Sequence, residues 1–120
     1  MTHMKLVIVL RPPVGRPLQL LLMETSSEMS WGANGGIPFG YDGLLFSFDP
    51  PVTPTMTMRQ TPLPLRILFI GPDNVVHTMH DAKAHSGDYT TDRPTRWVVE
   101  LPVASCALTM GDAVRLMYQR

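Results

Sequence analysis

The chain has 120 residues, 44% of them apolar, which suits one globular domain and is too little for two. Ten basic and ten acidic side chains cancel, so no net field favours nucleic acid or an anionic membrane. Cys106 is the single cysteine, which excludes an internal disulfide and a multi-cysteine zinc site; it reads as a small buried hydrophobe.

From the amino end, Leu6–Leu10 is an apolar, β-branched run closed by Arg11-Pro12-Pro13. It is shorter than a secretory apolar core or a membrane span, so a soluble intracellular chain without a targeting segment is expected. Leu18–Met23 is expected to return as a second strand, with a helix over Leu18–Glu28 as the alternative. Residues 25–43 hold five glycines and a proline and are expected to form no regular element. Trp31, Ile37, Phe39 and Tyr41 lie within that stretch, which therefore reads as a loop packed back onto the body, or else as a recognition surface.

Leu44–Phe48 alternates, with Leu44, Phe46 and Phe48 on one face, and Asp49-Pro50-Pro51 should end it. Met56, Met58 and Gln60 oppose Thr55, Thr57 and Arg59, with the methionine face inward. After Pro62 and Pro64 comes the run Leu65–Ile70, whose continuous apolarity suits a central strand covered on both faces. Gly71-Pro72-Asp73-Asn74 is a turn, and Val75–His80 its hairpin partner. Residues 81–94 read as an exposed polar loop. Trp97, Val99 and Leu101 should line an inner face, with Arg96 and Glu100 outward. A connection over Val103–Thr109, with some helical character, leads to a last strand, Ala113–Tyr118. The spacing of seven or eight mostly antiparallel strands predicts an all-β single domain, a small barrel-like or sandwich fold with at most one short helix.

Four segments together resemble the family known as domain of unknown function 192. They are Gly43-Leu44-Leu45-Phe46-Ser47-Phe48, the thirteen residues Met58–Ile70, Trp97-Val98-Val99-Glu100-Leu101-Pro102, and Gly111-Asp112. The resemblance covers about residues 43–118 and implies a compact β-rich domain without implying an activity. Arg59 stands for the family's lysine, Gln60 for its asparagine, and Arg66 for its aspartate, a reversal of sign. Ser30–Tyr41 stands where the family carries an RGLM-like signature.

Candidate chemistry is sparse. His77, His80, Asp81, His85, Asp88 and Asp92 are the densest metal-capable set. On a strand His77 and His80 point to opposite faces, which leaves His80, His85, Asp81 and Asp88 as the weak metal alternative. Cys106 has no motif around it, Ser26, Ser27 and Ser86 lack a nucleophile elbow, and Gly35-Gly36 is not followed by a phosphate-loop lysine. A metal-assisted or hydrolytic enzyme therefore ranks last. The expected site is a rim built from Arg59, Gln60, Thr61 and Arg66, where a guanidinium fork suits a carboxylate or phosphate. Trp31 or Tyr41 could stack over such a ligand. The competing structural role pairs Arg59 and Arg66 with Glu100 or Asp112 across neighbouring strands. The expected function is a non-catalytic binding module for a small anionic ligand or peptide, without a cofactor. Protein–protein assembly through proline- and methionine-rich surface, as an accessory component or oligomer, is the alternative.

Overall fold

The computed structural model describes residues 7–105 and 108–119; the expectation placed on Cys106 and the start of the first strand at Leu6 lie outside them. The apolar runs between prolyl and glycyl turns become strands: β1 (Val7–Arg11), β2 (Leu18–Met23), β3 (Gly43–Val52), β4 (Met56–Thr57), β5 (Leu65–Ile70), β6 (Val76–Ala82), β7 (Asp88–Tyr89), β8 (Thr95–Pro102) and β9 (Arg115–Gln119). One short helix, α1 (Ser26–Trp31), and a 3₁₀ turn at Val103–Ser105 complete the described elements. Seven strands form one mixed sheet in the order β6-β5-β8-β3-β2-β1-β9, while β4 and β7 pair as a separate ribbon. The expected all-β class holds. The sheet is large and open, not a closed barrel, although a single bridge joins Val75 to Ala113 near its two edges.

Every strand pair is antiparallel except β2–β3, where Leu21 lies beside Leu44 and Leu22 beside Leu45 in parallel register. Parallel neighbours cannot be joined by a tight turn, because the chain must first travel back along the strand. Residues 24–42 make that journey, so the Gly-rich segment is the crossover of the fold. It was expected to be wholly irregular, yet it opens with α1. A capping box explains the difference: Glu28 N donates to Thr25 Oγ1 at 3.1 Å, and Thr25 N donates to Glu28 Oε1 at 3.0 Å. Gly32, at φ +51°, then ends the helix.

The alternation of each strand sorts its residues between two cores. On one face Ile8, Leu10, Leu18, Leu20, Leu22, Leu45, Leu68, Ile70, Val99 and Leu101 are buried together, with Trp97 against them. On the other are Leu21, Met23, Leu44, Phe46, Met56, Met58, Leu65, Ile67, Phe69 and Val98, covered by the crossover and the β4–β7 ribbon. β5 is buried on both faces as expected, but it is the second strand from an edge, and β3 holds the centre. The prolines at 50 and 51 do not end β3, which runs on to Val52 after an irregularity in its pairing with β8. The stretch 81–94 is less open than expected, since Ala82 is buried at the end of β6 and β7 pairs with β4. Met56 and Met58 point inward, whereas Gln60 is exposed in a turn. In the last strand region Val114 is buried and Tyr118 is exposed.

β3 and β8 approach so closely at one point that only glycine fits. A Cβ on Gly43 would land on the carbonyl oxygen of Glu100. Overpacking of this kind against backbone has no flexible neighbour to absorb it.

Candidate functional site

The crossover does not seal the second core. Beyond Gly32 the chain turns twice, with Asn34 N bonding Trp31 O at 3.0 Å and Gly36 N bonding Ala33 O at 2.8 Å. The Trp31 indole lies over Gly35, where an added Cβ would come within 3.2 Å of the ring. Beneath this arch is a cavity of about 300 Å³ bounded by residues 29–34, by Phe46 and Phe48 of β3, by residues 54–57, and by Glu100 of β8. On the other side of Trp31 a wider groove of about 540 Å³ runs between Leu21, Met23, Pro38 and Tyr41. Trp31 is 60% exposed and forms a wall of both.

Glu100 is the unusual group. The sequence placed it outward, opposite Trp97 and Val99, and the alternation itself is correct. What the sequence does not reveal is that this second face is also covered. Glu100 sits between Leu44 of β3 and Ile67 of β5 and is only 3% exposed. No ion pair or hydrogen bond to its carboxyl is present among the described residues. Burial alone pushes its pKa up to about 8, so the carboxyl is neutral near pH 7 and carries a proton into the cavity. A buried carboxylate without a partner is among the most costly groups a core can hold. Carrying such a group at a cavity floor is a feature that binding and catalytic sites share.

The structure brings together some of the residues expected at the rim and separates others. Asn34 Nδ2 donates to Gln60 Oε1 at 3.3 Å, and Thr61 Oγ1 donates to Asn34 Oδ1 at 3.4 Å. Gln60 and Thr61 thus brace the loop that carries Trp31, and Tyr41 lines the neighbouring groove. Arg59 is exposed and reaches Asp88 at 3.3 Å. Arg66 lies on the opposite face of the sheet from Ile67, holds Asp81 through two bonds of 2.7 and 2.9 Å, and donates to Leu108 O at 3.0 Å. That guanidinium also keeps Asp81 below the usual carboxylate range. Neither arginine pairs with Glu100 or Asp112 as the structural alternative proposed; their partners are Asp88 and Asp81.

The residues of the metal alternative have separate engagements. His80 Nε2 bonds Thr90 O at 2.9 Å and its ring lies edge-on to Phe69, whereas His85 Nδ1 meets Arg59 O at 3.2 Å. Asp81 and Asp88 are the arginine partners just named. Among the described residues no three metal-capable side chains converge.

Glu100, Asn34, Phe46, Phe48 and Met56 are the site residues that sequence reasoning did not single out. A signal existed for the first. Val98-Val99-Glu100-Leu101 is apolar at successive positions, the mark of a strand covered on both faces, and an acid within such a run is a buried acid.

No curated protein matches this chain. A solved structure described as "a putative transcription regulator", from Sinorhizobium meliloti 1021, is 28% identical, covers 97% of this chain and 96% of its own, and has a TM-score of 0.76. Another, a protein of unknown function from Novosphingobium aromaticivorans DSM 12444, is 26% identical, covers 91% of this chain and 83% of its own, and has a TM-score of 0.73. The profile of DUF192, described as "Uncharacterized ACR", matches residues 18–116, which include the crossover, both arginines and Glu100. The chain belongs to the DUF192 family.

Proposed function

We propose that this domain is a non-catalytic binding module whose ligand, a small molecule or a peptide side chain, occupies the cavity under Trp31. One observation carries the reading: a buried carboxyl without a partner forms the floor of a cavity that opens beside an exposed tryptophan. Catalysis has less support, because Glu100 is the one titratable side chain in the lining and no second acid or base is there to activate a hydroxyl or share a proton. The same geometry favours this cavity over the rim near Arg59, where the guanidinium is exposed and engaged with Asp88. For the Sinorhizobium protein's description as a regulator, ligand sensing is the transferable part; a formal net charge of zero offers no footprint for DNA. The test is a fragment screen followed by methionine methyl resonances. Ligands of the cavity should shift Met29 and Met56, and Trp31→Ala should weaken them without lowering the melting temperature. A screen in which no fragment moves either methyl would refute the proposal.

Assembly onto a protein partner is the second reading, supported by Phe39, which is fully exposed on the same crossover as Trp31. Its measurement is sedimentation over a wide concentration range, with and without Phe39→Ser. A monomer at every concentration, together with no partner recovered through Phe39, would end it.

A further inference from the structure

The floor and the walls of the cavity together narrow the guest. No lysine, arginine or histidine lines it, so an anion would find no positive partner there and would oppose any ionisation of Glu100. An entirely apolar guest would leave the carboxyl as unpartnered as it is now and gain only contact area. A cation differs on both counts. It would form an ion pair with a carboxyl that is 3% exposed, and charge-assisted hydrogen bonds are about twice as strong as neutral ones. The walls suit the rest of such a molecule: Phe46, Phe48, Met29 and Met56 offer apolar and polarisable surface, and the Trp31 ring offers a face to positive charge. The hydroxyl of Ser30 and the amide oxygen of Asn34 supply acceptors for the remaining N–H groups.

We propose, on the footing of the binding role above, that the cavity takes an organic cation, with a guanidinium or alkylammonium head on Glu100 and a carbon stem leaving past Trp31. A free amine or guanidine and an arginyl or lysyl side chain of a peptide share this chemistry. The charged groups nearby do not compete. Arg96, on the same face of β8, is held by Ser47 Oγ at 2.8 Å and Phe48 O at 3.3 Å, with Asp49 4.0 Å away. Glu28 lines the neighbouring groove instead.

The experiment is calorimetry with n-butylguanidinium, whose charge does not change with pH, against n-pentanamide, a neutral guest of similar shape. Because Glu100 has to ionise to hold a cation, butylguanidinium affinity should rise about tenfold or more from pH 6.5 to pH 8.5. The amide, which would accept the carboxyl proton, should lose affinity over the same range. Glu100→Gln should abolish cation binding and its pH slope at an unchanged melting temperature at pH 6.5, since the neutral acid and the amide have the same shape. If that variant does not fold, the pH series on the unchanged protein decides alone. Cation affinity that falls with pH, or is matched by the amide at pH 8.5, would overturn the assignment. If the cation leaves Met29 and Met56 unshifted while the amide or any fragment of the screen moves them, only the ligand class fails; if nothing in the screen moves them, the binding role fails with it. A blocked Gly-Arg-Gly peptide identifies the source, binding tighter than butylguanidinium for a peptide partner and weaker for a free small molecule.

Discussion

The two faces of the sheet are built from different residues and closed by different means. One is lined by leucine, isoleucine and valine from six strands, whose side chains pack into one cluster. The other mixes such aliphatic residues with Met23, Met56, Met58, Phe46 and Phe69 and is covered by a short helix, a glycine-rich arch and a two-stranded ribbon. Regular elements meet with few voids, because their side chains repeat at fixed spacing. An arch of turns has no such repeat, and flexible methionines fill only part of the space beneath it. The cavity, the exposed tryptophan and the buried acid all lie on this second face. Both faces bury a full core, and the second adds to its core a cavity and a buried acid.

That contrast can be broken at the point common to both faces. Gly43→Ala would force β3 away from β8 and should cost about 3 kcal/mol or more in urea unfolding, disturbing both cores at once. Each face can then be probed alone. Leu68→Ala, on the aliphatic side and fully buried, should cost about 3 kcal/mol and leave ligand binding in the cavity intact. Glu100 sharpens the comparison through pH. Its folded-state pKa of about 8 lies above the ordinary 4.5, so between these values the folded protein binds the extra proton and stability falls as pH rises. The slope should approach about 1.4 kcal/mol per pH unit within that window and flatten in Glu100→Gln, as measured by denaturant titration across pH. The smallest effect belongs to the surface. Arg59→Ala removes an exposed ion pair and should change stability by less than about 0.5 kcal/mol, with the cavity's affinity unaltered.

The strand faces were legible in the sequence because intact alternation reports which residues share a side. Leu44, Phe46 and Phe48 fell on one side and Trp97, Val99 and Leu101 on another, as read. The family resemblance, carried by Met58–Ile70 and the Trp97–Pro102 strand, also held and extends further toward the amino end than those motifs did. The site was harder to read, for reasons that are physical. Parallel pairing of β2 with β3 links residues far apart in sequence, and no local pattern announces it. Without that pairing the crossover has no visible destination, and Glu100 appears to face water. The arginines stood out as charges in an apolar chain, but Asp81 and Asp88 lie one strand away from each and engage them.

The parallel pairing has a consequence for how such a protein changes over generations. The stretch between β2 and β3 is obliged only to span a distance, so its composition can drift while the strands beneath keep their order. The roof of the chamber is therefore the natural place for relatives to diverge in what they accept, and grafting one relative's roof onto another's strands should carry the preference across with it.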